Sequence, residues 1–278
     1  MKRILYLDAF SGLSGNMILG SLLELGVDWK ALQSALGSLN LSGWTMKAER
    51  VKRRGLSGTH FEVIVDEQAQ PDRSYAEICR IIDASDLPLS VRDQAKSVFE
   101  VLATAESNVH LQSITEVHFH EVGAVDSIID IVGTVWCLHE LNIQELRYSA
   151  LPVGRGWTMS AHGRIPLPAP ATLQILQGLE IVDAPPEMEW VTPTGAAITR
   201  TLGSQALNYP GGQLIQVGVG AGTQDPADRP NLLRACLFHE STPAPKVIVV
   251  ETNLDDLSAE EIGFLLSKLW ELSPLDVW

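Results

Sequence analysis

The stretch RILYLDAFSGLSGNMILGSLLELG, Arg3–Gly26, reads as a strand, a turn and a helix in succession. Residues 3–8 are an apolar run ending on a carboxylate, the pattern of a buried strand. A Ser/Gly turn follows, and the helical run beyond it is closed by Gly26. Strand, turn and helix in that order form the opening unit of an α/β fold. The same reading puts Asp8 at the carboxyl end of a strand, where open α/β sheets take their ligands. Backbone N–H groups at a helix start attract anions, and the Ser11, Gly12, Ser14, Gly15 turn lets a phosphate come close to the backbone. No Gly-Lys-Ser/Thr follows and the spacing is not GxGxxG, so neither common nucleotide loop is present. A tight turn with Ser14 or Asn16 as N-cap accounts for the same residues without a ligand.

Working outward, residues 29–38 read as a second helix, and WTMKAERVKRRG with GTHFEVIVDE as a hairpin about a Gly-containing turn. The basic cluster Lys47–His60 is read as the exposed edge of that hairpin, guarded by Lys and Arg. Val91, Ala95, Val98, Leu102, Ala105 and Val109 recur at helical spacing. Residues 123–141 form an almost wholly apolar helix, hence a central one. Residues 148–230 are rich in Pro and Gly, with short strands and helices at 169–177 and 193–203. The last stretch, VIVVETNLDDLSAEEIGFLLSKLWELSPLDVW, reads as strand, acidic turn, amphipathic helix and the start of another strand. The expected architecture is α/β (α+β): a mixed α/β domain over 1–243, then the beginning of a small, incomplete α+β domain over 244–278, for which a ferredoxin-like form is one option.

The chain has 278 residues, 45% of them hydrophobic, with 20 Lys and Arg against 34 Asp and Glu, a formal charge of −14. That length buries a real core. The charge disfavours nucleic acid and anionic membrane as partners. Cys79, Cys137 and Cys236 follow no CxxC spacing, so neither a disulfide framework nor a thiolate metal site is indicated. With no signal peptide and no apolar run of membrane-spanning length, a reduced, cytoplasmic setting is expected.

The densest chemistry lies in HFHEVGAVDSIID, His118–Asp130. In an extended segment His118 and His120 point to one side, and Asp126 and Asp130 share one face of the following helix. Like charges at that spacing repel, so the pair adds nothing to a bare helix. Asp126 as N-cap and Asp130 as a first-turn acid would explain either residue alone. Histidine and carboxylate together suit nickel, zinc or iron without a thiolate. AHGRIPLPAPAT adds His162 and Arg164 ahead of three alternating prolines, with guanidinium matched to carboxylate or phosphate. VTPTGAAIT reads as Thr192 capping a helix with Pro193 in its first turn. GVGAGTQDPADRPN reads as a strand bulge and surface turn, and ETNLDD as an acidic helix entrance.

Taken in order, LDAFSGLSGNM, HFHEVGAVDSIIDIVG, HGRIPLPAPAT, VTPTGAA, GVGAG…DRPN and VETNLDDLSAEE resemble one family, the LarC-like nickel insertases of nickel-pincer cofactor biosynthesis. The resemblance runs from about residue 5 to the end. It implies a lyase-class nickel chelatase that inserts nickel into pyridinium-3,5-bisthiocarboxylic acid mononucleotide, forming one nickel–carbon and two nickel–sulfur bonds. It implies dependence on CTP with Mn²⁺ or Mg²⁺, and a product that serves lactate racemase and related enzymes. His118, His120, Glu121, Asp126, Asp130 and His162 are the metal candidates. Glu121 and Asp8 are candidates for the base, and Ser11, Gly12, Ser14, Gly15 and Arg164 for the substrate phosphate. The family usually reads Ser-Gly-Asp-Met where this chain has SGNM, so Asn16 removes a negative charge there. Its members commonly continue further, and their nucleotide site is associated with that later part. The expected partners are therefore the mononucleotide and the missing C-terminal half or a partner chain, with self-association (a homo-oligomer) left open. The expectation is that this chain alone does not complete CTP-dependent insertion. A metal-dependent phosphoesterase and a non-catalytic nickel chaperone or scaffold are the alternative readings.

Overall fold

A computed structural model describes residues 1–66, 73–114, 117–119, 125–160, 163–186, 188–240 and 248–277. In chain order its elements are β1 (Arg3–Asp8), α1 (Gly15–Glu24), α2 (Trp29–Gly37), β2 (Trp44–Arg53), β3 (Leu56–Val65), β4 (Arg73–Ser74), α3 (Tyr75–Asp83), α4 (Leu89–His110), β5 (His118–Phe119) and α5 (Val125–Glu140). There follow β6 (Glu145–Tyr148), β7 (Leu151–Val153), β8 (Gly156–Ser160), β9 (Gly163–Leu167), α6 (Pro170–Leu176), β10 (Ile181–Asp183), α7 (Pro193–Leu202), β11 (Gly203–Gln205), β12 (Gly212–Ala221), β13 (Leu232–Glu240) and α8 (Ala259–Glu271). The chain divides into two units, Met1–Ser241 and Thr242–Trp278.

The larger unit is built on a seven-stranded mixed sheet in the order β11-β6-β1-β13-β12-β3-β2. β1 pairs parallel to β6 and antiparallel to β13, so the first strand of the chain lies inside the sheet. Its alternation divides the apolar residues between two faces. Leu5 and Leu7 enter the main core beneath the helices, while Ile4 and Tyr6 join Cys236 and Phe238 on the other face. The β2–β3 hairpin turns at Arg54 and Gly55, both at positive φ (48° and 86°), which suits a two-residue hairpin turn. β2 is the sheet edge, and its basic residues tie the hairpin down: Arg50 pairs with Glu24, and Arg53 Nε donates to the Gly222 carbonyl at 2.9 Å.

α5 is buried along nearly its whole length and packs against α1, α2, α4 and α7, as its apolar composition requires. α1 lies directly across β12 and β3. That closeness depends on glycine: a Cβ on Gly220 would land on the Met17 carbonyl, 2.7 Å from its carbon, and one on Gly218 would strike the Ser21 carbonyl oxygen. The glycines of GVGAG thus let a helix backbone rest on a strand backbone. Gly218 and Gly220 lie in regular strand, where the sequence suggested a bulge, and the chain leaves β12 after Ala221 for the expected turn.

In the smaller unit, α8 starts with a capping box in which Ser258 and Glu261 satisfy each other's backbone N–H groups. Residues 248–250, expected as a strand, are not one, nor are residues 274–277. A strand exists only through its ladder, and among the described residues none runs beside Ile248–Val250.

Candidate functional site

Three helix starts meet around one cavity of about 350 Å³. Its walls come from Ser14, Gly15 and Asn16 at the start of α1, Asp126, Ser127 and Asp130 in the first turns of α5, and Thr192 and Thr194 at the start of α7. β3 closes it with His60–Val63, and Thr223 completes the rim. The β1–α1 turn is pinned to the entrance of α7 by two backbone bonds, Leu13 N–H to the Trp190 carbonyl at 2.8 Å and Thr192 N–H to the Leu13 carbonyl at 3.0 Å. Thr192 caps α7 by accepting from the Gly195 N–H at 3.2 Å, with Pro193 in the first turn, as the sequence indicated. Each helix start presents the positive end of its dipole, with first-turn N–H groups met in part by side chains: Gly195 by Thr192, Asn16 by Asp130 and Ser127 by Asp126. Three such ends around one space favour an anion there.

Two carboxylates sit in that field. Asp130 is packed onto Gly15 so tightly that a Cβ on the glycine would stand 2.5 Å from Asp130 Oδ2 and 2.6 Å from its Cβ. The Asn16 backbone N–H bonds to the Asp130 carboxylate, but Oδ1 has no hydrogen-bond partner among the described residues. Burial pushes the Asp130 carboxyl well above the usual carboxylate range, the charge of Asp126 adds to this, and the Asn16 bond opposes it. Asp126 reaches solvent, and its Oδ1 accepts from the Ser127 N–H at 2.8 Å. Loss of hydration raises its carboxyl too, against that bond. It lies inside the first turn of α5, one residue past Val125, and so is not the N-cap the sequence allowed. A buried carboxylate with an open oxygen, one helical turn from a second, is a donor pair that a cation would stabilise in its charged form.

The other sequence candidates are distributed differently. Ser14 is the N-cap residue of α1 but makes no capping bond; its hydroxyl turns to the Asn16 side-chain oxygen. Ser11 and Gly12 lie before the cavity wall. The Ser11 hydroxyl is buried without a partner among the described residues. Gly12, at φ +127°, leaves room for Asn231, whose Oδ1 would stand 2.8 Å from any Cβ there. Asp8 shares the face of Tyr6 and Ile4, opposite that of Leu7 and Leu5. Its Oδ2 accepts from the Tyr209 hydroxyl at 2.8 Å and from Arg234 through Nε at 2.9 Å and through Nη2. Burial and the Asp8 bond hold the Tyr209 phenol up at about 12. Arg164 stands on the β8–β9 hairpin with its guanidinium 5.2 Å from the centre of the Trp157 ring. His120, Glu121 and His162 lie outside the described residues, and of His118 only the backbone, in β5, is described. Among the described residues, no three His, Cys, Asp or Glu side chains stand close enough to hold one metal ion.

Of the cavity wall, sequence reading missed His60, Ser127 and Thr223. His60 is buried, not on an exposed hairpin edge, with Nδ1 3.0 Å from the Ala221 carbonyl oxygen. Nothing within its own segment signals this, because its surroundings come from α1, α5 and β12. A larger cavity of about 420 Å³, lined by Asn40, Arg73, Glu77 and Arg80 among others, contains none of the motif residues.

No described helix is long and apolar enough to cross a membrane. No solved structure matches the chain. Relatives from Geotalea daltonii and Citrifermentans bemidjiense, each provisionally named a nickel insertion protein, are 44% identical to it over 99% of the chain, covering 71% and 72% of their own lengths. One from Dictyoglomus thermophilum, named the same way, is 39% identical over 99% of the chain and 72% of its own length. The family model described as nickel insertion protein matches residues 5–278, which takes in every wall of the cavity. The chain belongs to the nickel insertion protein family.

Proposed function

We propose that the cavity is where nickel meets an organic anion, and that the chain, together with a C-terminal part or partner chain that supplies the nucleotide site, inserts the metal into pyridinium-3,5-bisthiocarboxylic acid mononucleotide. The observation that carries this reading is the convergence of three helix N-termini and the Asp126–Asp130 pair on one space. A phosphate fits the N–H groups of Ser14 and Gly15, with Ser11 and Gly12 shaping the turn and Arg164 a further candidate. The carboxylates suit the incoming cation. The run His118, His120, Glu121 leads directly into α5 in sequence, and with His162 it supplies the nitrogen and oxygen donors that nickel favours. The nickel is substrate here, passed on to form one nickel–carbon and two nickel–sulfur bonds in a lyase-class reaction. Dependence on CTP with Mn²⁺ or Mg²⁺, a cytoplasmic setting and a product used by lactate racemase belong to the same proposal. Carbon–nickel bonding requires loss of a ring proton to a base. Of the sequence's candidates for that base, Asp8 is already engaged by Arg234 and Tyr209.

Nickel titration tests the assignment. His118→Ala and His120→Ala should each weaken binding by about 10-fold or more, and unchanged affinity in both would remove these residues from the site. The pyridinium absorbance, followed with nickel, CTP and Mg²⁺ in the presence of a C-terminal part or partner chain supplying the nucleotide site, separates insertion from nickel storage. Release of phosphate from generic esters without nickel would favour a phosphoesterase.

A further inference from the structure

His60 stands 7% exposed in the wall of the cavity, on β3, while the carboxylates stand on α5. The Ala221 carbonyl can only accept, so the 3.0 Å bond to it requires the proton on Nδ1. In the neutral ring this leaves the lone pair on Nε2. Nε2 bonds to no described residue. The bond also fixes the ring plane, and the β-ladder behind it, Gly220 against Thr59, fixes the strand that carries it. An imidazole in a cavity wall, held in one tautomer with a basic nitrogen that no described residue engages, can take a proton from a molecule bound there. Since no three ligand-type side chains among the described residues form a metal group, His60 does not join Asp126 and Asp130 around one ion.

We infer that His60 Nε2 is the group in this cavity that accepts a proton from the bound organic substrate. This rests on the insertase reading above. In that reaction the ring C–H bond breaks, its electron pair becomes the nickel–carbon bond, and the proton passes to Nε2. Apart from the phosphate, Ni²⁺, the pyridinium with its two thiocarboxylates and a neutral imidazole become an uncharged nickel complex and an imidazolium, so charge and electrons balance without an oxidant.

His60→Asn keeps an amide N–H where Nδ1 was and removes Nε2; His60→Gln places a non-basic amide nearer the outer nitrogen. Both should bind nickel and the mononucleotide with affinities within about threefold of wild type. Both should lower kcat for product formation, assayed with nickel, CTP, Mg²⁺ and a C-terminal part or partner chain supplying the nucleotide site, by on the order of 10²-fold, the usual contribution of a general base. The isotope effect on ring-deuterated mononucleotide should rise in both. In the wild-type protein, ¹⁵N correlation spectra should show the Nδ1–H tautomer of His60. Turnover unchanged in the variants, nickel affinity lost together with turnover, or the Nε2–H tautomer would each overturn the inference while leaving the insertase reading in place. A wild-type protein that binds both substrates and forms no product even with a C-terminal part or partner chain supplying the nucleotide site would overturn both.

Discussion

Gly15→Ala probes the tightest contact in the site. Gly15 opens α1 with no positive φ, so the backbone itself accepts alanine. The obstacle is Asp130, whose Cβ, Cγ and Oδ2 would stand 2.6, 2.8 and 2.5 Å from the new methyl. Carbon atoms pack at about 3.5–4.0 Å, so the start of α1 and α5 must part by roughly 1 Å. Overpacking of this kind costs about 1–3 kcal/mol. The lower chain entropy of alanine in the unfolded state returns about 0.4–1 kcal/mol. The net cost in the nickel-free protein is therefore about 1–2 kcal/mol, or a fall of roughly 0.5 M in the urea midpoint for a chain with a slope near the upper end of the usual range. The second background must be chosen with care. Asp130→Ala keeps the Cβ at 2.6 Å and should relieve only part of the clash, whereas Asp130→Gly removes every atom named. The penalty of Gly15→Ala should thus shrink in Asp130→Ala and change sign in Asp130→Gly. A penalty equal in all three backgrounds would show that the methyl collides with something else, and the reasoning would fail.

Asp130→Asn should stabilise the nickel-free protein at neutral pH and flatten its dependence on pH. The folded carboxyl is raised, so the native state holds a proton that the unfolded chain gives up. Stability is then full below the ordinary carboxylate value and is lost as pH rises toward the folded value. Thermal melts of both proteins from pH 4 to 8 check this, and parallel curves would refute it. Gly220→Ala sets a methyl against the Met17 backbone carbonyl, where no rotamer can relieve it, and should cost at least about 3 kcal/mol, seen as lost cooperative unfolding by circular dichroism. Tyr209→Phe removes one of the bonds to Asp8 but leaves Arg234, so urea unfolding should show a loss of only about 1 kcal/mol.

Much of this was legible in the sequence because it is local. An apolar run marked β1, a helical run closed by Gly26 marked α1, helical spacing marked α4, an almost wholly apolar run marked α5, Thr192 and Pro193 marked the start of α7, and a Gly-containing turn marked the hairpin. The motif order carried the family. Ile248–Val250 failed as a strand for the same reason that patterns elsewhere succeeded: apolar β-branched residues favour extended chain, but only a neighbouring strand makes it a ladder.

The site itself was not local. Sequence alone determined that a carboxylate pair stands one helical turn apart at the start of an apolar helix, and that a Ser/Gly turn opens another. Tertiary structure decided that these two starts and that of α7 share one cavity, that Gly15 takes Asp130 against its Cα, and that Asp8 turns to Arg234 instead. It also brought in His60, from a hairpin that reads as exposed. The physical reason is that burial, and with it the protonation and orientation of each polar group, depends on the atoms that surround it. For His60 and Asp130 those atoms come from segments roughly 50 to 160 residues away in the chain.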